Sequence, residues 1–203
     1  MKQIHYFNLF LLSAFTSCVA PVNLNFDSAK MLEKGSVEAQ ASSSAYAYLN
    51  EVYVTNLNFG AKAGFGVSGR YNIKLRYECL LPADGNDIYN FIEIDNKISI
   101  LKNKIALSLP ITFYLGNESV LVVDPRFYFT YSKSNKFEFT FAPKVHIALS
   151  GDSGILPGAC LGFGFSKDLT KWAVRPEIGY DSYLSLGIGF SFYPNFKKEE
   201  KTQ

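Results

Sequence analysis

The chain has 203 residues, of which 48% are hydrophobic and only 19% are charged, and its formal net charge is +2. The charged fraction is below the roughly 25% of an average soluble protein, which indicates that part of the surface faces something other than water. With so small a net charge and no basic run beyond Lys197 and Lys198, we expect no nucleic-acid partner. The 18 Phe and 13 Tyr residues suit strands better than a helical bundle.

Residues 1–20 have the organisation of an export signal. Lys2 supplies the positive start, and the apolar stretch 6–15 is too short to span a membrane as a helix. The tetrapeptide that ends at Cys18 resembles the lipobox of bacterial lipoproteins, with Phe in place of the usual Leu. We therefore expect lipidation at Cys18, and the alternative is ordinary cleavage after Ala20.

From residue 36 onward, the chain repeats stretches of alternating polarity, each followed by a short break of Gly, Asn, Asp or Ser. In 137–149, for example, Phe and aliphatic residues alternate with polar or small residues, which is the period of two that a strand requires. Pro110 is expected to cause a bulge in its strand. The pattern predicts ten strands, at 36–48, 52–67, 70–81, 87–102, 104–114, 119–131, 136–149, 156–166, 172–180 and 183–193.

Most of these strands reach the 9 to 11 residues that a tilted strand needs to cross a bilayer, and their number is even. The predicted fold is therefore an all-β, antiparallel, up-and-down transmembrane β-barrel of about ten strands, with eight as the alternative. An even number also places both ends of the barrel sequence on one side, which predicts that both termini are periplasmic. The breaks expected on the outer side are those near Asn50, 83–87, 116–118, 151–154 and 181–182.

The face opposite the apolar residues decides which side meets lipid. In the strands at 156–166 and 183–193 that face consists of Gly, Ser and Cys, whereas a solvent-facing side would be dense in Lys and Glu. Small residues suit the interior of a narrow barrel, and the bulky Phe, Leu and Ile then meet acyl chains. The aromatic residues expected to form interfacial girdles are Tyr71, Tyr114, Tyr131, Trp172, Tyr180 and Tyr193.

The last predicted strand carries a pattern that resembles the β-signal by which outer-membrane barrels are recognised for insertion. Its residues are Ser185, Gly187, Phe190 and Phe192. The chain also resembles small barrel lipoproteins of Bacteroidota-type bacteria, which are mostly of unassigned activity. The resemblance lies in the export signal, in the sequence Glu33-Lys34-Gly35 before the first strand, and in the turn from Ser166 to Trp172. The resemblance implies an outer-membrane location, with membrane lipid and the barrel-insertion machinery as partners. The chain then divides into a signal at 1–20, a periplasmic leader at 21–35, a barrel at 36–193 and a polar tail at 194–203.

The alternation predicts a set of inward-facing charged or titratable residues whose signs nearly balance. They are Lys74, Arg76, Glu78, Glu93, Asp95, Lys97, Asp124, Arg126, Glu138, Lys144, His146, Arg175 and Glu177. Residues two apart on one strand, such as Arg175 and Glu177, are expected to pair, since an unpaired buried charge is strongly destabilising. We expect a structural or scaffold role with a lumen filled by side chains.

Two alternatives remain open from the sequence. The first is a narrow channel for small solutes. The second is a tethered soluble lipocalin-like barrel that binds an apolar ligand, in which the Phe and Leu series faces inward and Lys144, His146 and Arg175 face outward.

No catalytic residue, metal site or cofactor is predicted. His146 is the only His beyond the signal, and a lipid-modifying acyl-transfer site, with Glu138 or Asp124 behind it, lacks any local signature. Once Cys18 is set aside, Cys79 and Cys160 fall on opposite faces of their strands, so a disulfide between them is not expected.

Overall fold

The structure is a computed structural model, and it describes residues 24–47, 54–82, 88–115, 120–150 and 154–194. The described strands are β1 Val37–Ala47, β2 Val54–Ser68, β3 Tyr71–Pro82, β4 Tyr89–Leu101, β5 Ile105–Leu115, β6 Val120–Val123, β7 Arg126–Ser132, β8 Phe137–Ala148, β9 Ile155–Phe165, β10 Trp172–Tyr180 and β11 Leu184–Phe192. The predicted signal, including Cys18, lies outside the described residues, as does the tail beyond Pro194.

Neighbouring strands pair in an antiparallel manner around the sheet, and β1 pairs with β11 to close it. Because β6 and β7 both pair with β5 on one side and β8 on the other, they fill one position in the wall. The structure therefore confirms an all-β, closed antiparallel barrel with ten strand positions. We call the end with the turns around 69–70, 102–104, 133–136 and 166–171 the turn end, and the opposite end the loop end.

Two prolines explain why the sixth wall position is interrupted. The Asp124 N–H donates to the Pro110 carbonyl at 3.1 Å, but Pro110 has no N–H with which to return a bond. Pro125 also lacks an N–H, although its carbonyl accepts a bond from Val145 N at 3.1 Å. The expected bulge at Pro110 is wrong, since Pro110 stays in register with Asp95 on β4 and the ladder breaks in the adjacent strand instead.

The wall of the barrel is apolar outside and charged inside. Every Asp, Glu, Lys and Arg on the described strands is buried. Large hydrophobic side chains such as Leu75 and Leu186 are instead 54% and 56% exposed on the outer surface. This is the reverse of the arrangement required by a lipocalin-like barrel with an apolar interior, so that alternative is wrong.

The aromatic residues near the strand ends divide between the two faces. Tyr131 and Tyr180 are exposed on the outer surface, as expected. Tyr114 instead packs inside against the buried Phe91, with ring centroids 5.5 Å apart. The Tyr193 hydroxyl accepts a bond from a buried Arg175 at 3.3 Å. The girdle prediction was therefore wrong for Tyr114 and Tyr193, which contribute to the interior.

A tight turn at the turn end leads from the barrel interior into β1. Ser36 N donates to Glu33 O at 2.9 Å, and Gly35 N donates to Gly66 O at 2.8 Å. Gly35 has a φ of 77°, in the left-handed region that glycine tolerates. A Cβ on Gly66 would lie 2.1 Å from Glu33 O, so the wall must be glycine there for the chain to pass.

Candidate functional site

The interior of the barrel is the candidate functional site because it collects the charges of the strands. Among the described residues, it buries nine carboxylates and seven Lys or Arg side chains, together with His146. The members that the sequence predicted, all of them buried, are Lys74, Arg76, Glu78, Glu93, Asp95, Lys97, Asp124, Arg126, Glu138, Lys144, His146, Arg175 and Glu177. Charges so far from bulk water require partners, and the structure supplies them in two groups.

Residues 24–32, which we call the plug segment, lie in the lumen. Leu24 and Phe26 are 0% and 1% exposed, and all residues of 24–29 are buried. The sequence placed a leader at 21–35 outside the barrel. The structure corrects this for 24–32, because the apolar side chains pack in the interior and the polar groups find partners on the strands; residues 21–23 lie outside the described residues.

Asp27 is the charged anchor of the plug segment. Its carboxylate lies 2.7 Å from Lys74 Nζ, 3.0 Å from Lys97 Nζ and 3.8 Å from Lys62 Nζ. These lysines belong to three adjacent strands, β3, β4 and β2. Lys74 also pairs with Glu38 on β1 at 2.7 Å. One carboxylate of the plug segment is thereby tied to a large part of the wall.

Glu177 on β10 holds the backbone of the plug segment. Its two carboxylate oxygens accept the N–H groups of Asn25 and Phe26 at 2.6 and 2.7 Å. The expected pair between Arg175 and Glu177 is therefore not the one observed. Arg175 donates instead to Glu138 on β8, which is separated from β10 by β9, because the side chain reaches past the inward glycines of β9.

Further bonds join the plug segment to strands on several sides of the barrel. Gln40 donates to Phe26 O at 2.7 Å, Lys62 donates to Asn25 O at 3.0 Å, and Ala29 N donates to Thr130 Oγ1 at 2.7 Å. Lys30 forms an ion pair with Glu138 at 2.7 Å. The plug segment thus obtains from wall side chains the hydrogen bonds that its irregular backbone needs when buried.

Glycines on β11 make room for the apolar side chains of the plug segment. A Cβ at Gly187 would lie 2.7 Å from atoms of both Leu24 and Phe26, and one at Gly189 would lie 2.7 Å from Phe26 Cβ. Such distances are shorter than real Cβ contacts. The inward glycines of β11 are therefore small because the plug segment occupies the space beside them, whereas those of β9 face wall side chains such as Glu138 and Glu177.

The residues of the predicted insertion signal occupy both faces of β11. Ser185 is buried, whereas Phe190 and Phe192 are each 48% exposed on the outer surface. Gly187 faces inward and contacts the plug segment. The same short stretch therefore provides an apolar outer surface and a recess in the inner one.

A second group of charges lies toward the loop end. Arg126 pairs with Glu93 on β4 at 2.6 Å and lies 3.6 Å from Asp124. Asp124, which is two residues away and was the partner expected from sequence spacing, is therefore the more distant of the two. Further contacts there join Arg76 to Glu78 and Ser108 Oγ to Asp95.

His146 stands between two carboxylates in this second group. Its Nδ1 contacts Asp124, and its Nε2 lies 3.2 Å from Asp181 Oδ2, which also lies 3.6 Å from Lys144 Nζ. Of the two acids considered as supports for a catalytic His146, Asp124 meets the ring, whereas Glu138 pairs elsewhere. Both ring nitrogens of His146 therefore already face carboxylates.

Sequence reasoning missed several members of the interior. Glu38 and Lys62 sit at inward positions of β1 and β2, where the alternation is weak, and strict period-two counting would have found them. Asp181 lies in a turn, and Asp27 lies in a segment without strand pattern. Nothing local to Asp27 indicates that it points into a barrel.

The two cysteines on the described strands lie on opposite faces of the wall. Cys79 lies on the outer face of β3 and Cys160 is buried on the inner face of β9. Within the described parts of the chain, no group of His, Cys, Asp and Glu side chains is arranged to hold a metal ion. The same parts contain no helix that is long and apolar enough to cross a membrane.

Comparison with known proteins found similar solved structures at low sequence identity. No family model and no curated protein matches the sequence. A de novo designed transmembrane β-barrel is similar at a TM-score of 0.42 and 13% identity, over 81% of this chain and 99% of that one. The N-terminal β-barrel domain of Pseudomonas aeruginosa OprF is similar at 0.35 and 12%, over 79% and 100%. Ail, the attachment invasion locus protein of Yersinia pestis, is similar at 0.30 and 8%, over 79% and 98%. At TM-scores below 0.5 these likenesses support no conclusion about this chain.

Proposed function

We propose that the protein is an outer-membrane β-barrel whose lumen is closed by its own N-terminal plug segment, and that its role in the bacterial envelope is structural. The observation that carries the proposal is the distribution of charge across the wall: charged strand residues are inside, and large apolar side chains cover the outside. Such a surface is stable in hydrocarbon, where an unpaired charge costs several kcal/mol.

The closed lumen supports a structural role rather than transport. The plug segment is bonded to β1, β2, β3, β4, β7, β8 and β10. A conducting pore more often has a ring of one charge sign around an open path. Here acids and bases are interleaved and paired, which is the arrangement that stabilises a filled interior.

Export and insertion complete the proposal. The signal at 1–20 would direct the chain across the inner membrane, with lipidation at Cys18 as the expected processing. The outward Phe190 and Phe192 on β11 would be recognised by the barrel-insertion machinery. Membrane lipid is then the main partner of the outer surface.

Cell fractionation combined with heat-modifiable gel migration tests the location. We expect the protein in the outer-membrane fraction, extractable only with detergent, with unheated samples migrating differently from boiled ones because the closed barrel resists unfolding. A protein that remains soluble in the periplasm without detergent would contradict the proposal.

The insertion signal has a matched control in the chain. The double substitution F190A/F192A removes two outward Phe side chains from β11, and F163A/F165A removes two equivalent ones from β9. We expect only the first to reduce the amount of folded protein in the outer membrane. Equal loss in both variants would show that Phe190 and Phe192 act through lipid contact alone.

A further inference from the structure

The plug segment has a definite direction inside the barrel. Its C-terminal end is at the turn end, where Glu33 O passes Gly66 near the end of β2. Four residues earlier in the chain, Ala29 bonds Thr130, which is two residues inside the end of β7. Toward its N-terminus, the plug segment therefore runs away from the turn end and toward the loop end.

The plug segment keeps this direction as far as Leu24, the first described residue. Phe26 lies against Gly189 and Leu24 against Gly187 on β11, which runs from the loop end at Leu184 to the turn end. Leu24 is thus level with a residue only three positions from the start of that strand. At about 3.3 Å per residue, about 10 Å of wall remains between Leu24 and the loop end.

The lumen beside the plug segment is occupied on two sides. On one side of the plug segment, the wall approaches so closely that a Cβ on Gly189 would lie 2.7 Å from Phe26. On the other side, Asp27 is enclosed by Lys74 and Lys97 at ion-pair distance. A second pass of the chain beside the first would have to break these buried pairs.

We propose that the chain N-terminal to Leu24 leaves the barrel through the loop end, so that the N-terminus and Tyr193 lie on opposite sides of the membrane. Cys18 is six positions before Leu24, and at roughly 3.3 to 3.6 Å per residue these six steps span up to about 20 Å, about twice the remaining wall. A lipid on Cys18 is then carried to the loop side. This replaces the expectation that both termini face the periplasm, and its membrane sidedness rests on the proposed function.

Epitope accessibility in intact and permeabilised cells tests the sidedness. Three full-length proteins carry one short epitope each: after Ala20, after Gly85 in a predicted loop, or after Gln203. We expect the first two to respond alike and the third to respond oppositely. If the Ala20 epitope responds with the Gln203 epitope while the Gly85 epitope differs, the inference is overturned and the proposed function stands. If the Gly85 and Gln203 epitopes respond alike, the proposed function fails, and the threading is decided by the next measurement.

A distance measurement on purified protein decides the threading without reference to a membrane. Spin labels are placed at V22C with either S182C, at the loop end, or K104C, at the turn end, in a chain whose Cys79 and Cys160 are replaced by serine. We expect the label at position 22 to be close to position 182 and far from position 104. A chain that turned back would give the reverse, and the two outcomes differ by roughly the 25 Å height of a membrane-spanning barrel wall.

Discussion

The substitution Asp27→Asn tests whether the plug segment is held by charge. It keeps the size of the side chain but removes the carboxylate that three lysines share, at 2.7, 3.0 and 3.8 Å. Lys74 retains Glu38 as a partner at 2.7 Å, and Lys97 retains a carbonyl of the plug segment, that of Lys30, at 3.1 Å. The substitution therefore leaves a local excess of positive charge around Lys62, Lys74 and Lys97 without stripping each lysine of every contact.

The expected loss of stability follows from the lysine charges that Asp27→Asn leaves unpaired. Removing one partner of a buried ion pair costs about 3 to 5 kcal/mol. Because Lys74 and Lys97 keep other contacts, we expect Asp27→Asn to cost about 3 kcal/mol, at the lower end of this range. At 1.4 kcal/mol per tenfold, this is a roughly 100-fold smaller ratio of docked to released plug segment.

The assay is denaturant unfolding of the detergent- or lipid-embedded protein, read by heat-modifiable migration, with ion conductance as a second readout. Asp168→Asn is the matched control, because the Asp168 carboxylate contacts neighbours within its own turn, Thr170 by hydrogen bonds and Lys171 at 4.0 Å. We expect Asp27→Asn to lower the free energy of unfolding and to permit intermittent current, and Asp168→Asn to do neither. If Asp27→Asn were as stable and as closed as the unaltered protein, the electrostatic account of the plug segment would be refuted.

Two further substitutions test the packing and the second charge group. Gly189→Ala should cost about 1 to 3 kcal/mol, since the new methyl group meets Phe26 at 2.7 Å; Gly69→Ala, which meets nothing within 4 Å, should leave thermal stability unchanged. Equal stability of the two glycine variants would contradict the proposed recess. Arg126→Ala should lower stability by about 3 to 5 kcal/mol, less if water enters the lumen, because buried carboxylates lose their cation. Arg70→Ala is the control, because Arg70 is exposed. If Arg126→Ala lowered stability no more than Arg70→Ala, the ion pair between Arg126 and Glu93 would be unimportant for stability.

The wall could be predicted from the sequence because two strict constraints act on each strand. The pleat fixes a period of two, and the contrast between an apolar outside and a polar inside makes that period visible. The predicted strand at 136–149, for example, is observed as Phe137–Ala148. The prediction erred where a proline acted on its neighbour, since Pro110 interrupts the ladder at Asp124 rather than bending its own strand.

Pairing across the lumen could not be predicted, because it depends on strand register and distance. Arg175 and Glu177 are two apart on one strand, yet the first reaches Glu138 on β8 and the second binds the backbone at Asn25. Sequence spacing identifies which residues face inward and leaves their partners undetermined.

The plug segment is the largest feature that the sequence did not predict. Its stabilising contacts are with residues far away in the chain, such as Lys97, which is 70 positions from Asp27. The one local sign was on the opposite wall, where Gly187 and Gly189 leave more room than a side-chain-filled lumen requires. Inward glycines could equally fit a tapered barrel, so they do not by themselves indicate a segment inside.

Planar-bilayer conductance of the purified protein is the most direct test of a membrane barrel closed by its own N-terminal segment. The intact protein and a variant that lacks residues 24–32 are compared, after heat-modifiable migration has shown that both barrels are folded. We expect no steady current through the intact protein and steady openings through the deletion variant. Steady ion-selective openings of the intact protein that change when Arg126 or Lys144 is neutralised would contradict the account, as would a folded deletion variant that remains closed.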